Sequence, residues 1–368
     1  MSRLDELIAE LCPDGVECKR LSGIAEIGTG SSNRVDAEED GAYPFFVRSK
    51  NIMKSNKFIF DEEAILIPGE GGIGDIFHYV DGKYDLHQRA YRIHFTHSQM
   101  NTKYAYYYLV THFKKFIMMK AVNATVTSIR KPMIESFPLA IPPLPVQEEI
   151  VRVLDKFTEL EAELEAELEA RKKQYEYYRD SLLTSSDDTE IFALGDLFEM
   201  KAGVSIKASE IASSESEEFA LPCYGGNGLR GYVKEASHNG NLILVGRQGA
   251  LCGNIRRVTG EFYATEHAVV VEARPEVDTD WAFHMLTTMD LNQYATISAQ
   301  PGLSVRKLET LTIPVPPLAE QRRIVAILDR FDALVNDITQ GLPAEIAARR
   351  QQYEYYRDKL LTFEEVGS

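Results

Sequence analysis

The amino-acid sequence predicts an α+β protein in which two pseudo-repeated α/β globular domains are separated by two long antiparallel helices that form a coiled coil. A 17-residue stretch at 141–157 returns at 315–331, an offset of 174 residues. Each copy leads into the same string, Gln-Tyr-Glu-Tyr-Tyr-Arg-Asp, at 174–180 and at 352–358. A chain of 368 residues with 44% apolar and 26% charged residues can bury more than one core. The repeat makes those cores two equivalent halves.

The repeat also sets the predicted boundaries. The first globular domain takes residues 1–145 and the first long helix 146–184; the second domain takes 185–316 and the second long helix 317–363. In the first domain, apolar residues at helical spacing predict a helix over 1–12 and another over 102–119. Short β-like runs between them predict strands at 24–27, 43–47, 57–60, 64–67, 76–80 and 89–95. The second half repeats this order, with a helix near 281–294.

The two long helices carry apolar residues on a heptad seam, interrupted in the first copy by Glu161 and Arg171. Antiparallel pairing places the start of one helix beside the end of the other. It predicts that Ile150, Leu154 and Phe157 pack around Tyr353, Tyr356 and Leu360. The string Gly341-Leu342-Pro343 predicts a break in the second helix. The predicted packing residues are Ile150, Leu154, Phe157, Leu164, Leu168, Tyr175, Tyr178, Ile324, Leu328, Phe331, Tyr353 and Tyr356.

The net charge of −16 hides one basic region. Residues 41–131 hold 13 Lys and Arg against 7 Asp and Glu, whereas the first long helix and the following linker are acidic. The basic region suits a polyanionic partner. The four cysteines show neither metal-ligand spacing nor disulfide density, and the sequence has no apolar signal region or membrane-length apolar run. We therefore expect a reduced, cytoplasmic protein.

The doubled Pro-Pro-Leu-x-x-Gln-x-x-Ile motif, the doubled Gln-Tyr-Glu-Tyr-Tyr-Arg-Asp string and three tandem Glu-Leu-Glu-Ala units at 159–170 resemble the specificity subunits of type I restriction-modification systems. The resemblance covers the whole chain and points to the subclass with a tetrapeptide repeat in its central helix, although members of that subclass favour a Thr in the unit. It implies two target-recognition domains that each read half of a split, asymmetric site in double-stranded DNA. It also implies two methyltransferase subunits, which carry S-adenosylmethionine, and restriction (translocase-nuclease) subunits in the full complex.

Sequence patterns that resemble catalytic motifs have simpler explanations. Residues 69–74 read G-x-G-x-x-G, but strand-like residues follow instead of a helix, which indicates a tight turn. The paired prolines at 142–143 and 316–317 lack the polar residue that precedes them in adenine methyltransferases, so they mark helix starts. No histidine pair has metal-ligand spacing. The sequence predicts a non-catalytic chain that binds no metal and no cofactor of its own.

Basic and amide side chains on the loops of each domain are the candidates for DNA contact, because Arg and Lys read guanine and Asn and Gln read adenine. Each could equally be a solvated surface group. The basic pairs at 130–131 and 306–307 suit phosphates better than bases, because both halves keep them. The candidates are Arg48, Lys50, Asn51, Lys54, Lys57, Arg89, Arg92, Arg130 and Lys131 in the first half, and Asn227, Arg230, Arg247, Gln248, Arg256, Arg257, Arg306 and Lys307 in the second.

Two other functions remain open. A coiled-coil adaptor that bridges two proteins without DNA would suit the acidic helix, but not the basic region or two diverged globular domains. A free-standing enzyme would transfer methyl groups to DNA without partner subunits.

Overall fold

The computed structural model describes residues 3–120, 128–184, 189–249, 251–296, 301–337, 339–364 and 366. The chain forms two compact units. Unit 1 takes Met1–Leu164 and Ile346–Ser368, and unit 2 takes Glu165–Glu345. Each unit contains an α/β domain and parts of the long helices. Residue 185, where the second domain was predicted to begin, lies outside the described residues.

Unit 1 begins with a short helix and then alternates strands with loops before its main helix. Its elements are α1 (Arg3–Leu11), β1 (Cys18–Arg20), β2 (Ala25–Thr29), β3 (Tyr43–Phe46), β4 (Met53–Ser55), β5 (Phe60–Pro68), β6 (His78–Leu86), β7 (Ala90–Phe95), α2 (Thr102–Lys120), α3 (Lys131–Glu135), β8 (Pro138–Ala140) and the first part of α4 (Leu144–Leu183).

A six-stranded sheet in the order β2-β7-β5-β6-β3-β4 is the framework of unit 1, and β1 pairs with β8 beside it. The central strand β5 is buried on both faces, which explains its continuous apolar run. Its residues Ile65 and Ile67 belong to the main core with α2, whereas Ala64 and Leu66 belong to a smaller core on the opposite face. The sheet therefore lies between two apolar layers.

From β1 onward, unit 2 repeats the strands and the main helices of unit 1 in the same order. Its elements are β9 (Ile191–Ala193), α5 (Leu194–Leu197), β10 (Phe198–Ala202), β11 (Leu221–Gly225), β12 (Gly228–Val233), β13 (His238–Gly246), β14 (Ile255–Ala264), β15 (Ala268–Ala273), α6 (Thr279–Thr288), α7 (Val305–Glu309), β16 (Thr312–Pro314), α8 (Leu318–Asn336) and α9 (Leu342–Leu360), whose last part belongs to unit 1.

The sheet of unit 2 has the order β10-β15-β13-β14-β11-β12, which is the order of unit 1 strand for strand. In both sheets one pair is parallel, β3 with β6 and β11 with β14, and the other pairs are antiparallel. The predicted internal repeat and the α+β class are confirmed.

In unit 1, the start of α4 packs antiparallel against α9, as predicted. The Phe157 ring lies 5.6 Å from that of Tyr356 and 6.3 Å from that of Tyr353, between ring centroids. One turn further along α4, Glu161 forms an ion pair with Arg350, one turn earlier in α9. The interruption of the seam at Glu161 is therefore matched by a cation on the facing helix. Ile150 and Leu154 are fully buried in the unit 1 core.

In unit 2, the end of α4 packs against α8. The Phe331 ring stacks on Tyr178 at 5.5 Å and lies 6.5 Å from Tyr175. Ile324 and Leu328 are buried in the core, and Leu168 packs at its edge. Leu164, in the part of α4 that belongs to unit 1, is half-buried.

The predicted second long helix is two helices, with the expected break next to Gly341. Asp337 ends α8, because its carboxylate accepts a hydrogen bond from the backbone N–H of Thr339 at 2.7 Å. A side chain at Gly341 would lie 2.5 Å from the carbonyl oxygen of Ala333, so the turn requires glycine. Pro343 lies in the first turn of α9, where its missing N–H costs nothing.

One strand prediction is wrong. Residues 57–59 form a loop and only Phe60 is in a strand, whereas β4 at Met53–Ser55 was not predicted. The apolar residues that predicted a strand belong to a loop, and they pack against neighbouring residues from there. Phe58 lies against Tyr43 at 4.9 Å, and Ile59 packs on the smaller core.

The shared glutamine of the Pro-Pro-Leu-x-x-Gln motif fixes the start of each long helix. The fully buried amide of Gln147 accepts a hydrogen bond from Asn101 N at 2.9 Å and donates to the carbonyl oxygens of Gln99 and Pro142. In unit 2 the fully buried Gln321 accepts from Asp278 N at 2.7 Å and donates to Glu276 O and Pro316 O. Each amide thus ties the loop before α2 or α6 to the helix start.

Candidate nucleic-acid interface

Four loops of unit 1 meet where strands of its sheet end. We call residues 46–48, 69–70, 87–89 and 128–129 the loop cluster of unit 1. Three backbone hydrogen bonds join them: Gly69 N donates to Arg89 O at 2.8 Å, Ile129 N to Gly69 O at 2.9 Å, and His87 N to Phe46 O at 3.0 Å. A Cβ at Gly69 would lie 2.8 Å from Arg89 O, so in unit 1 these loops approach too closely for a side chain at this residue.

The loop cluster of unit 1 presents a charged trio. Glu70 accepts hydrogen bonds from Arg48 at 2.8 Å and from Arg89 at 3.1 Å. The two guanidiniums remain 41% and 56% exposed, so they are oriented by the carboxylate without being covered. Burial, with Arg48 and Arg89 close by, lowers the pKa of His87. At neutral pH the trio therefore carries a net positive charge beside a neutral histidine.

Unit 2 builds the same frame from residues 224–226, 247–248, 265–267 and 302–303, which we call the loop cluster of unit 2. Arg247 N donates to His267 O at 2.8 Å, Leu303 N to Arg247 O at 2.9 Å, and Thr265 N to Tyr224 O at 2.8 Å. These bonds correspond one by one to those of unit 1. They make Gln248 the equivalent of Glu70, and His267 the equivalent of Arg89.

The side chains on this second frame differ. The exposed amide of Gln248 is held by a 2.8 Å hydrogen bond between its Oε1 and Nδ1 of His267. Arg247 is half-buried and donates to Glu266 O at 3.4 Å. A cavity of 520 Å³ next to the pair is lined by Arg247, Gln248, Tyr294 and Lys307, among others. Where unit 1 presents charged groups, unit 2 presents an oriented amide.

Two of the predicted DNA contacts are held in ion pairs within the fold. Arg92 on β7 is 14% exposed, pairs with Glu62 at 2.8 Å and lies over the Phe60 ring. Arg257 on β14 is 27% exposed and pairs with Asp280 at 3.0 Å. Both cations stabilise the packing of their own unit, and their contact with DNA stays a prediction.

Apart from the half-buried Arg247, the other candidates in the globular domains are exposed. Asn227 forms the tip of the β11–β12 hairpin, and Arg256 lies over the Tyr224 ring at 5.7 Å next to that tip. Lys57 pairs with Asp36 at 3.5 Å. The remaining exposed candidates are Lys50, Asn51, Lys54 and Arg230.

The two basic pairs lie close to the loop clusters but are not equivalent to each other. Arg130 precedes α3, and Lys131 pairs with Glu135 at 3.7 Å. The equivalent bonds of Ile129 and Leu303 align Arg130 with Ser304, so Arg306 and Lys307 lie two residues further along, inside α7. The sequence alignment of these basic pairs is therefore wrong by two residues, because similar letters outweighed the backbone frame. All four side chains are exposed.

Sequence reasoning missed the side chains that orient the candidates. Glu70 lies in the glycine-rich string at 69–74, and His267 belongs to no recognisable motif. Their partners lie 19 residues away in the chain in both units. The available signal was the repeat itself, because aligning the loops between strands brings 70 with 248 and 89 with 267.

The part of the chain that the structure describes holds no group of three or more His, Cys, Asp or Glu placed to bind a metal ion. The four cysteines all lie in the described part of the chain and form no disulfide, and burial raises the pKa of Cys12, Cys223 and Cys252. None of the described helices is both long enough and apolar enough to cross a membrane.

The family model described as the type I restriction modification DNA specificity domain matches the chain twice, at residues 13–170 and 186–348. The specificity subunit of the type I restriction enzyme EcoprrI from Escherichia coli is 56% identical over 204 residues, which are 54% of this chain and 51% of that relative. The chain thus matches about half the length of that protein. The EcoR124I/EcoR124II specificity subunit of Escherichia coli is 34% identical over 71% of this chain and 70% of its own length.

Among solved structures, the S subunit of a type I restriction-modification system from M. genitalium superposes with a TM-score of 0.65. The match covers 94% of this chain and 96% of that one at 18% sequence identity. At this identity the similarity concerns the fold.

Proposed function

Since this chain belongs to the family of type I restriction-modification specificity subunits, which are not catalytic themselves, we propose that each unit reads one half of a bipartite, asymmetric sequence in double-stranded DNA. The observation that carries the proposal is the pair of loop clusters: one backbone frame, built twice, presents different side chains. A split, asymmetric DNA sequence presents different bases to two binding sites that are otherwise equivalent. The exposed cations beside each cluster supply the phosphate contacts that such reading needs.

The long helices dock two methyltransferase subunits in this proposal. Tyr177 is 70% exposed and Tyr355 is 63% exposed, although both are large aromatic side chains. Each belongs to the identical Tyr-Tyr-Arg-Asp string, and each lies against its neighbouring tyrosine at 5.7 and 5.3 Å. Two copies of one surface suit two copies of one partner. Native mass spectrometry tests this, because Tyr177→Ala and Tyr355→Ala should each remove one methyltransferase subunit, and an intact complex would contradict it.

In the full complex the methyltransferase subunits carry S-adenosylmethionine, this chain binds no cofactor, and restriction subunits join the assembly in the cytoplasm. Selection from random duplex DNA, with and without the methyltransferase subunits, tests the reading function. We expect recovery of a split site with two defined halves. A complex that forms but enriches no sequence would instead favour a protein-bridging adaptor.

The tandem Glu-Leu-Glu-Ala units at 159–170 set the gap between the half-sites in this proposal. One unit is about 1.1 helical turns and about 6 Å of helix, so removing residues 163–166 rotates the seam by only about 40°. We expect the deletion to keep both half-sites and to shorten the preferred gap by about one or two base pairs, since the break at Gly341 can absorb part of the change. Methylation-site sequencing measures the gap. An unchanged gap at full activity would exclude this role.

A further inference from the structure

Among the equivalent positions at which the loop clusters differ is one pair of bonded side chains, Glu70 with Arg89 in unit 1 and Gln248 with His267 in unit 2. Glu70 directly follows Gly69, whose N–H bonds to the facing loop, and Gln248 follows Arg247 in the same way. The backbones of Glu70 and Gln248 each form a β-bridge, to residue 128 and to residue 302. The backbone frame is constant, whereas the chemistry of this bonded pair changes.

Each pair leaves one base-reading group exposed and oriented. In unit 1, Glu70 occupies Nη1 of Arg89, so Nη2 and Nε of this 56% exposed side chain stay available as donors. Two parallel donors match O6 and N7 of guanine. In unit 2, the Nδ1–H of His267 occupies one lone pair of Gln248 Oε1. The second lone pair and the Nε2 donors match N6 and N7 of adenine.

We propose that this pair selects one base pair in each half-site, a G·C pair through Arg89 in unit 1 and an A·T pair through Gln248 in unit 2. Glu70 and His267 are positioning residues, because they fix the reading side chain and do not themselves touch the base. The inference rests on the proposed reading of DNA by both units and adds the residues and the base class that each one reads.

Other cations explain a difference between half-sites less well. Arg92 and Arg257 are tied into ion pairs inside their units. Arg130 lies beside the loop cluster of unit 1, and Lys307 lies beside the loop cluster of unit 2. Both cations suit phosphates, which carry no sequence information. The pair at 70 and 89, or 248 and 267, is oriented, exposed and chemically different between the units.

A transplant tests the proposal. In the complex with its methyltransferase subunits, the double variant Gln248→Glu/His267→Arg gives unit 2 the pair of unit 1. Methylation-site sequencing on random duplex DNA should show one position of the unit 2 half-site changing from A·T to G·C, with the unit 1 half-site unchanged. A good bidentate contact is worth about 1–3 kcal/mol, so the preference at that position should change by roughly 5- to 150-fold. Gln340→Glu, at an exposed glutamine in the turn between α8 and α9 of the same unit, is the control for added negative charge and should change nothing.

Single truncations decide the result if the double variant does not assemble. Gln248→Ala should relax one A·T position of the unit 2 half-site to all four bases, and Arg89→Ala should relax one G·C position of the other half-site. Relaxation at a G·C pair by Gln248→Ala, or an unchanged preference in both variants, overturns the inference. A wild-type complex that selects no split site would instead overturn the proposed function, so the two failures are distinct.

Discussion

Beneath the long helices, the two units build the same polar junction from different residues. In unit 1, Asp155 of α4 accepts hydrogen bonds from Lys103 at 2.7 Å and from Tyr107 at 2.6 Å, both on α2. In unit 2, the equivalent Asp329 of α8 is bonded to His284 of α6 at 2.9 Å and to Arg257 of β14 at 3.3 Å.

The two junctions differ in where the cation lies. Lys103 of α2 is replaced by Asp280 at the equivalent place in α6, and the cation is supplied instead by Arg257, which faces the helix from the sheet. In unit 1 that sheet position is Tyr79, over whose ring Lys103 lies at 5.9 Å. Each junction thus keeps one acid on the long helix and a cation in reach. The aspartate on the long helix is the same in both units, whereas its partners on the main helix and on the sheet differ.

The largest expected effect comes from the cores that the long helices share with the sheets. Leu154 and Leu328 are equivalent and fully buried. An aspartate there buries an unpaired charge, so Leu154→Asp and Leu328→Asp should each lower the free energy of unfolding by at least about 3 kcal/mol. Trp281 of unit 2 is the only tryptophan in the chain, which lets its fluorescence report on unit 2 while circular dichroism reports on both units.

We expect Leu328→Asp to lower the fluorescence melting temperature strongly, whereas Leu154→Asp should lower the ellipticity before the fluorescence changes. Ala162→Asp, an exposed position on the same helix, is the control and should melt like the wild type. Equal effects of the two leucine variants on Trp281 would show that the units do not melt as separate cores.

The second comparison concerns the buried glutamines. Gln147→Ala and Gln321→Ala each leave buried backbone groups without partners, which costs about 1–3 kcal/mol per unsatisfied group. Because the geometry of the two amides is the same, the two losses should agree within the error of urea denaturation. Gln352→Ala removes an exposed glutamine and should leave the midpoint unchanged. A clear loss in one unit only would show that the other helix start is fixed by different contacts.

A smaller effect separates the two polar junctions by pH. Burial lowers the pKa of His284 below its ordinary 6.5, although Asp329 opposes the shift. Burial and the hydrogen bond to Asp155 raise the pKa of Tyr107, so its phenol in the unit 1 junction stays neutral. A histidine with a lowered folded pKa binds its proton more readily when unfolded, so unit 2 loses stability as the pH falls below about 6.5.

The loss at this residue is at most about 1.4 kcal/mol per pH unit. His284→Tyr copies the side chain of unit 1 and should flatten the fall of the Trp281 melting temperature between pH 7.5 and 5.5. Burial also lowers the pKa of His238 in unit 2, so part of the dependence should persist. An unchanged slope in the variant would exclude His284 as its source.

The sequence predicted the fold class and the two-domain organisation because the chain contains the same pattern of elements twice. The offset of 174 residues aligned both helix starts, and the glycine and proline at the break predicted the end of α8. The role of Gln147 was out of reach, although its motif was recognised, because its partners Gln99 and Asn101 lie 48 and 46 residues away. The strand at Met53–Ser55 was missed because three residues carry too little periodicity.

The candidate site was predicted by residue type and not by contact. Arg89 and Arg92 are three residues apart and look alike in sequence, yet one is exposed beside Glu70 and the other is covered by Glu62 and Phe60. No local pattern distinguishes them, because the acids that pair with them come from β5 and the loop after it. The basic pairs were misaligned for a similar reason, since a short string carries less information than a backbone frame.

The central claim is that each unit reads its own half of one DNA site, and methylation-site sequencing of three variants tests it most directly. Arg89→Ala should relax only the half-site of unit 1 and Arg256→Ala only that of unit 2, each by about 1–3 kcal/mol. Arg130→Ala should weaken binding to all sequences alike and reduce the salt slope by about 1. If Arg89→Ala and Arg256→Ala relax the same half-site, the division of reading between the units is contradicted.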